Sequence, residues 1–282
     1  MRIPPSFAIP FGAFEAVLAD EGNRELAERY QEHLRKLDQA ALADLRLTVL
    51  GLAAPPALVE AVSRTASEAG LDVAGRWDES WSAIKAVWAS QWNDRAYRAR
   101  RAQGMDHSEL RMAVLVEPVV PAEYAFVLHT VNPLAPEQDQ IYGEVVWGLG
   151  ETLVGNHPGR ALAFVASKAQ GAAEVVGYPS KSHALYAGGL MFRSDSNAED
   201  LGDYAGAGLY DSVTTDPPRR VLVDYATAPL LWDPNVMREV LDRMAELGRV
   251  VQAALGAPQD IEGAWADGAV FLLQARPEVG LR

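Results

Sequence analysis

The sequence predicts an α+β fold of two lobes, in which mixed or antiparallel sheets are flanked by helices. Residues 1–110 repeat apolar side chains at helical spacing, whereas most later stretches are short β-rich runs separated by turn residues. The length of 282 residues is enough for two lobes with sizeable cores. We expect residues 1–110 to form a mostly helical first lobe, joined by 177–215. We expect residues 111–176 and 216–282 to form the second lobe.

Composition and charge limit the partners. The net charge is −13, and no block of five like charges occurs, so neither nucleic acid nor an anionic membrane is expected as a partner. An anionic small ligand held by a few local cations stays compatible with this balance. There is no cysteine, which excludes disulfides and thiolate metal sites. With neither a signal peptide nor a run of about 18 apolar residues, we expect a cytoplasmic protein.

The first third of the chain reads mainly as helices. Residues 7–10 are typical of a short strand, residues 23–37 have helical spacing, and a further helix begins at residues 55–56. Residues 78–103 are predicted as one long helix, which carries a stripe of tryptophans. We interpret that stripe as core, with a base-stacking surface as the alternative.

The remainder reads as strands and one long amphipathic helix. The helix is predicted over residues 235–255, and residues 189–192 lead into a polar segment. The predicted strands are 112–120, 125–130, 141–147, 161–167, 174–176 and 220–225, and a hairpin follows at 258–277.

The hairpin carries the clearest chemical pattern. Its odd positions are apolar or small on both strands, and side chains alternate between faces along a strand. Its even positions carry oxygen ligands and one cation, which suit Mg²⁺ and a polyphosphate; they are Asp260, Glu262, Gln274 and Arg276. The alternative is an ordinary amphipathic hairpin with a solvated polar face.

The turn decides which of these residues face each other. We predict a three-residue loop at 266–268, which places Glu262 opposite Leu272 and Asp260 opposite Gln274. A two-residue turn would place odd positions opposite even ones and split the polar set between the two faces. The prediction of one polar face therefore depends on this loop length.

A second polar stretch spans residues 192–213. Arg193 can bind phosphate bidentately, and Ser194 is one of three short hydrogen-bonding side chains that follow it. The run Ala205, Gly206, Ala207 and Gly208 can present successive backbone N–H groups to an anion. No Gly-Lys-Ser/Thr follows, so this is not a Walker A loop. Plain turns are the alternative.

Two further residues are candidates for nucleotide chemistry. Glu151 follows a strand and two glycines, where it could face a metal or a ribose; the alternative is a carboxylate in the first turn of a helix. Lys181 precedes the Arg193 segment and is the candidate for the terminal phosphates. The alternative is an exposed loop lysine.

Taken together, the motifs resemble one family. PQDIEG…LLQARP, FRSDSNAEDL…YAGAGLYDSV, GLGETLVG, GYPSK and VWASQWNDRAY resemble the nucleotide-binding domain at the C-terminus of alpha-glucan water dikinases. That domain belongs to the ATP-grasp group shared with pyruvate phosphate dikinase and phosphoenolpyruvate synthase. The resemblance covers essentially the whole chain. It implies an ATP-grasp fold with two lobes that close on Mg-ATP.

The resemblance also implies residue roles. The metal ligands would be Glu262 and Gln274, supported by Asp260, and the catalytic phosphate-binding groups would be Arg193 and Arg276. Residues 205–209, ending at Leu209, would form the phosphate loop, and adenine would contact Val116 and Glu117.

In such dikinases the β-phosphate of ATP passes to a histidine on a separate domain and then to the glucan, while the γ-phosphate goes to water. Because this chain carries neither a phosphohistidine domain nor a starch-binding domain, we expect it to be incomplete as an enzyme, and to reach glucan only through other domains.

Besides the missing domains, two departures keep alternatives open. The glycine-lysine segment that precedes this region in the family is missing, and we expect weaker ATP binding or lost turnover. Glu117 and Pro118 stand where the family has glutamine and glutamate, so a carboxylate lies near the expected adenine position. A non-catalytic or truncated nucleotide-binding module is one alternative, and a dikinase domain for another acceptor, such as pyruvate or an antibiotic, is the other.

Overall fold

The protein is described by a computed structural model, which covers residues 1–155, 157–169, 171–198 and 208–278. The chain forms two compact units. We call Pro5–Val119 with Gly188–Pro217 the helical unit, and Met1–Pro4, Val120–Ala187 and Pro218–Arg282 the sheet unit. Antiparallel sheets and flanking helices occur in both, which confirms the predicted α+β class.

The helices and strands follow in chain order. The helices are α1 (Ala13–Ala19), α2 (Arg24–Arg35), α3 (Ala41–Leu50), α4 (Pro56–Glu68), α5 (Trp77–Ala89), α6 (Asp94–Ala102), α7 (Glu151–Val154), α8 (Pro229–Trp232) and α9 (Pro234–Leu255). The strands are β1 (Phe7–Ile9), β2 (Met112–Pro118), β3 (Tyr124–His129), β4 (Gln140–Trp147), β5 (Leu162–Ser167), β6 (Glu174–Gly177), β7 (His183–Tyr186), β8 (Leu190–Ser196), β9 (Val213–Thr214), β10 (Arg219–Leu222), β11 (Gln259–Ala266) and β12 (Ala269–Pro277).

The helical unit packs helices on an antiparallel sheet of order β1-β2-β8-β9. Strand β2 belongs to this unit because it pairs with β1 and β8, whereas the predicted boundary at residue 110 assigned it to the other lobe. Helix α5 packs on β8 and β2. The predicted tryptophan stripe is buried in the core: Trp81 and Trp88 lie on α5, Trp92 lies just after it, and all three are at most 8% exposed.

The single helix predicted over residues 78–103 is wrong. Helix α5 ends at Ala89, a 3₁₀ turn follows at Ser90–Trp92, and α6 begins at Asp94. The break lies at Asn93, whose backbone is extended (φ −65°, ψ 144°) and whose side-chain amide donates to the Asp211 carboxylate at 3.0 Å. A partner 118 residues away therefore stabilises the break, which helical spacing alone cannot reveal.

The sheet unit is built on a six-stranded antiparallel sheet of order β12-β11-β3-β4-β5-β6, with β7 and β10 as a separate pair. Helix α9 packs on one face of the large sheet. Its N-terminus is capped by Asp233, which accepts from the backbone N–H of Asn235 at 2.8 Å, and Gly256 ends it with a φ of 72°. The covered face is apolar, and the opposite face carries the polar residues of the hairpin.

No helix within the described ranges combines the length and apolar character that a bilayer-spanning segment needs.

Candidate functional site

The hairpin has a shorter turn than predicted. Ala266 pairs with Ala269, so only Asp267 and Gly268 form the loop, with φ of 48° and 68°. Two consecutive left-handed residues are the signature of a two-residue type I′ turn, for which Asp-Gly is a preferred sequence. The predicted three-residue loop at 266–268 is therefore wrong.

A β-bulge restores the polar face that this shorter turn would have split. The register shifts between Glu262 and Gly263, so that Glu262 lies opposite Gln274 and Gly263 opposite Leu272. The predicted pairs of Glu262 with Leu272 and of Asp260 with Gln274 are thus also wrong. The extra residue, Leu273, brings the four polar residues to one face in different pairs.

Packing around Gly263 accounts for the position of the bulge. A Cβ atom at this residue would lie 2.2 Å from Cζ of Phe126 and 2.6 Å from the backbone oxygen of Phe271. Only glycine tolerates so close an approach, because any other residue would displace the ring or the strand. A tertiary contact with β3 thus supports the register that collects the polar residues.

Asp260 and Arg276 face each other and form an ion pair. Nε and Nη2 of Arg276 both donate to Oδ2 of Asp260, at 3.0 and 2.7 Å. The two side chains are 17% and 21% exposed, so the pair is largely shielded from water. Asp260, predicted to support a metal, is placed in this structure to orient the arginine.

The polar face continues across β3 and β4, two strands on which the sequence analysis placed no site residue. Directly paired residues share a face, so Asp260, His129 and Tyr142 form one row across β11, β3 and β4. Glu144 lies two residues beyond Tyr142 on β4 and therefore shares this face. Tyr142 donates to Oε1 of Glu144 at 3.1 Å. The alternation within residues 141–147 could have indicated Glu144, but it could not show that β4 neighbours β3.

Two groups on this face have displaced pKa values. Burial acts to lower the pKa of His129, but the Glu278 carboxylate at 3.0 Å, helped by Asp260, raises it overall. Burial, together with the charge of Glu144, raises the pKa of Tyr142 to about 12. The carboxylates thus give this face a negative field that favours protonated neighbours.

The hairpin offers the types of ligand atom that the predicted Mg²⁺ prefers. Glu262 and Gln274 supply a carboxylate and an amide oxygen from facing positions. Within the described part of the chain, no group of three or more His, Cys, Asp or Glu side chains forms a ready metal cage. Mg²⁺ is usually held by one or two carboxylates together with substrate phosphates, so a sparse donor set suits it better than a full cage would.

Glu151 and Lys181 also lie in the sheet unit. Glu151 is the first residue of α7 and is exposed, the position that the first-turn alternative describes. Lys181 is only 6% exposed, so the exposed-loop alternative is wrong. Its ammonium group donates to the backbone carbonyl of His157, and its own carbonyl accepts from the Tyr225 hydroxyl at 2.6 Å. Lys181 therefore holds the loops around it together.

The helical unit carries the predicted arginine and adenine-contacting residues. Arg193 and Ser194 lie on β8, and β8 pairs with β2, where Val116 and Glu117 are found. Val116 is fully buried. Glu117 forms an ion pair with Arg193 at 3.6 Å, which no sequence pattern had suggested. The strand register places Arg193 and Glu117 on one face of this sheet and Ser194 and Val116 on the other.

The glycine segment is described in part. Ala205, Gly206 and Ala207 lie outside the described residues. Gly208 is left-handed with a φ of 72°, and no atom lies within 4 Å of where its Cβ would be.

The residues that follow Gly208 are anchored to α6. Arg95 donates to the Leu209 carbonyl at 2.9 Å and also pairs with Asp211. The start of α6 therefore holds the end of the glycine segment in place.

Comparison with known proteins adds a family and several relatives. The family model described as pyruvate phosphate dikinase, AMP/ATP-binding domain, matches residues 68–281. An alpha-glucan water dikinase of Solanum tuberosum is 46% identical over 98% of this chain, and this stretch is 20% of the relative's length. The chain thus spans about a fifth of the length of that relative.

Two more distant relatives have other names. A phosphoenolpyruvate synthase of Aeropyrum pernix is 31% identical over 83% of this chain and 28% of its own length. A rifampicin phosphotransferase of Streptomyces sviceus is 25% identical over 98% of this chain and 32% of its own length. The similarity therefore extends to a phosphoenolpyruvate synthase and a rifampicin phosphotransferase as well as to alpha-glucan water dikinases.

Proposed function

Since the chain belongs to the family of pyruvate phosphate dikinase AMP/ATP-binding domains, we propose that it is the Mg-ATP-binding domain of an alpha-glucan water dikinase-like phosphotransferase. The observation that carries this proposal is the pairing of Glu262 with Gln274 beside Arg276 on one face of β11 and β12. The identity to alpha-glucan water dikinases, 43–46% over nearly the whole chain, supports the glucan enzyme over its relatives.

In this proposal the residues of the sheet unit bind the metal ion and the phosphates. Glu262 and Gln274 bind Mg²⁺, which neutralises phosphate oxygens when it is bound. Arg276 binds the phosphates, and Asp260 orients its guanidinium through the two hydrogen bonds to Oδ2. A cation held in place before the ligand arrives stabilises developing charge with little reorganisation.

In the same proposal, residues of the helical unit bind the phosphates and the adenine base. Arg193 binds phosphate oxygens, with Ser194 beside it, and the backbone at Val116 and Glu117 contacts adenine. Gly208, with its open left-handed backbone, contributes an N–H group to the phosphates.

We propose that a histidine on a separate phosphohistidine domain attacks the β-phosphorus of ATP and breaks the bond between the α- and β-phosphates, so that AMP leaves. Water then cleaves the bond between the β- and γ-phosphates and releases the γ-phosphate as inorganic phosphate, which leaves one phosphoryl group on the histidine. The histidine then passes its phosphoryl group to an alpha-glucan that other domains bind. The cytoplasm stays our expectation for the location.

A second candidate is a dikinase domain for another acceptor. The similarity to the rifampicin phosphotransferase over 98% of the chain favours this possibility. The domains that bind the acceptor decide between the two candidates, because acceptor chemistry does not involve the nucleotide-binding residues named above.

Calorimetric titration with Mg-ATP tests binding. We expect saturable binding to the wild-type chain, and binding that is weaker and much less Mg²⁺-dependent in Glu262→Gln, because the substitution removes one metal-binding oxygen charge. Glu239→Gln is the matched control, since Glu239 lies on α9 and pairs with Arg243 at 3.3 Å, more than half exposed. No binding to the wild-type chain at millimolar nucleotide would refute the proposal.

Phosphoryl transfer needs a second protein. A phosphohistidine domain of an alpha-glucan water dikinase is mixed with this chain and ATP labelled at the β-phosphate. We expect label on the histidine. ATP binding without any transfer would instead support a non-catalytic nucleotide-binding module.

A further inference from the structure

Arg193 is held by a carboxylate in the helical unit. The Nη1 atom of Arg193 lies 3.6 Å from Oε1 of Glu117. Strand pairing fixes the geometry, because Arg193 lies opposite Leu115 on β2, and Glu117 is two residues further along the same face.

This contact is less exposed to water than a typical surface ion pair. The side chain of Glu117 is 8% exposed and that of Arg193 is 19% exposed. The Glu15–Arg111 pair in the same unit is 3.2 Å long but about 40% exposed on each side. A shielded carboxylate must keep a cationic partner, because water cannot replace that partner.

The same guanidinium is the proposed phosphate-binding group. A guanidinium carries five N–H donors in a fixed plane, and a carboxylate and a phosphate both favour its bidentate edge. A phosphate that binds Arg193 must therefore share or displace Glu117, and the competing carboxylate weakens binding.

We propose that Glu117 determines the affinity of this chain for nucleoside triphosphate by competing with the phosphates for Arg193. The inference rests on the proposed function, since it needs Arg193 to bind phosphate. The nucleoside part of the ligand does not require Arg193, so the effect of Glu117 grows with the number of phosphates.

Glu117→Gln tests this competition. The amide keeps the shape of the side chain and removes its charge, which removes one anionic competitor for Arg193. We expect Mg-ATP to bind about tenfold more tightly, equivalent to about 1.4 kcal/mol, and the gain for adenosine to be at least severalfold smaller, because adenosine brings no phosphate to Arg193. Glu15→Gln is the matched control, because it removes a carboxylate from an ion pair in the same unit, and we expect less than a twofold change.

A double-mutant cycle shows whether Glu117 acts through Arg193. In an Arg193→Gln background, Glu117→Gln should change the affinity for Mg-ATP less than twofold. Tenfold tightening that persists there would overturn the inference, since it would mean direct repulsion of the ligand. If Arg193→Gln does not fold, Arg193→Lys takes its place in the cycle. The gain from Glu117→Gln should then fall clearly below tenfold, because an ammonium group lacks the bidentate edge for which the two anions compete, and an unchanged tenfold gain would overturn the inference.

The two proposals fail in different ways. If the wild-type chain binds no Mg-ATP, the proposed function fails. If the wild-type chain binds Mg-ATP but Glu117→Gln binds it equally or less tightly, only the role of Glu117 is overturned. An equal gain for adenosine and Mg-ATP would also overturn it.

Discussion

Replacing Asp260 with asparagine should destabilise the hairpin by about 2 kcal/mol, between the ranges for exposed and fully buried ion pairs. The carboxylate accepts two hydrogen bonds from Arg276, at 3.0 and 2.7 Å, and the two side chains are 17% and 21% exposed. A fully buried pair that loses one partner costs about 3–5 kcal/mol, and an exposed pair costs about 0.2–1 kcal/mol. About one fifth exposure, with an amide oxygen left as a weaker acceptor, places the expected loss between these limits.

Amide hydrogen exchange, read by mass spectrometry over residues 259–277, measures this loss locally. A local measurement is needed because a chain of two compact units need not unfold in one step. Glu239→Gln on α9 is the control, and we expect less than about 0.5 kcal/mol from its exposed pair with Arg243. If Asp260→Asn changes exchange no more than this control does, the assigned role of Asp260 in holding Arg276 is refuted.

Three further predictions concern the sheet unit. Gly143→Ala should destabilise it by about 1–3 kcal/mol, because the new Cβ would lie 2.3 Å from a neighbouring phenylalanine ring; unchanged exchange in β4 would contradict this. The pKa of Tyr142, raised to about 12, predicts that stability falls as the pH rises from about 10 to about 12, since the folded state keeps the proton longer. Ultraviolet difference titration should show this pKa move towards 10 in Glu144→Gln, and no movement would exclude Glu144 as a cause. The raised pKa of His129 predicts a contribution to stability that is full below about pH 6.5 and is lost as the pH rises through the folded-state pKa. Glu278→Gln should lower that pKa in an NMR titration of the imidazole, and an unchanged value would contradict the assigned cause.

Local patterns predicted much of the fold. Short runs rich in apolar residues at β2, β3, β4 and β5 and helical spacing along α9 identified these elements close to their observed bounds. Both patterns arise among residues that are close together in the sequence, so they can be recognised without knowing the tertiary structure. Helix α3 was not predicted, because its residues are apolar on most sides and lack a clear periodicity.

Tertiary contacts decided the details of the candidate site. The polar character of the hairpin was visible in the sequence, but its pairs were not, because the two-residue turn and the bulge compensate each other. The bulge depends on the close approach of Gly263 to Phe126. The polar face that His129 and Glu144 share likewise depends on the order of strands in the sheet.

By itself, the sequence determined the α+β class, the family and the chemical types of the candidate ligands, since residue identity and short-range periodicity carry all three. Only the tertiary structure decided which groups face one another. It paired Asp260 with Arg276 and Glu117 with Arg193, and it buried Lys181. Strand register and burial arise from packing between residues far apart in the chain, and no local pattern specifies such packing.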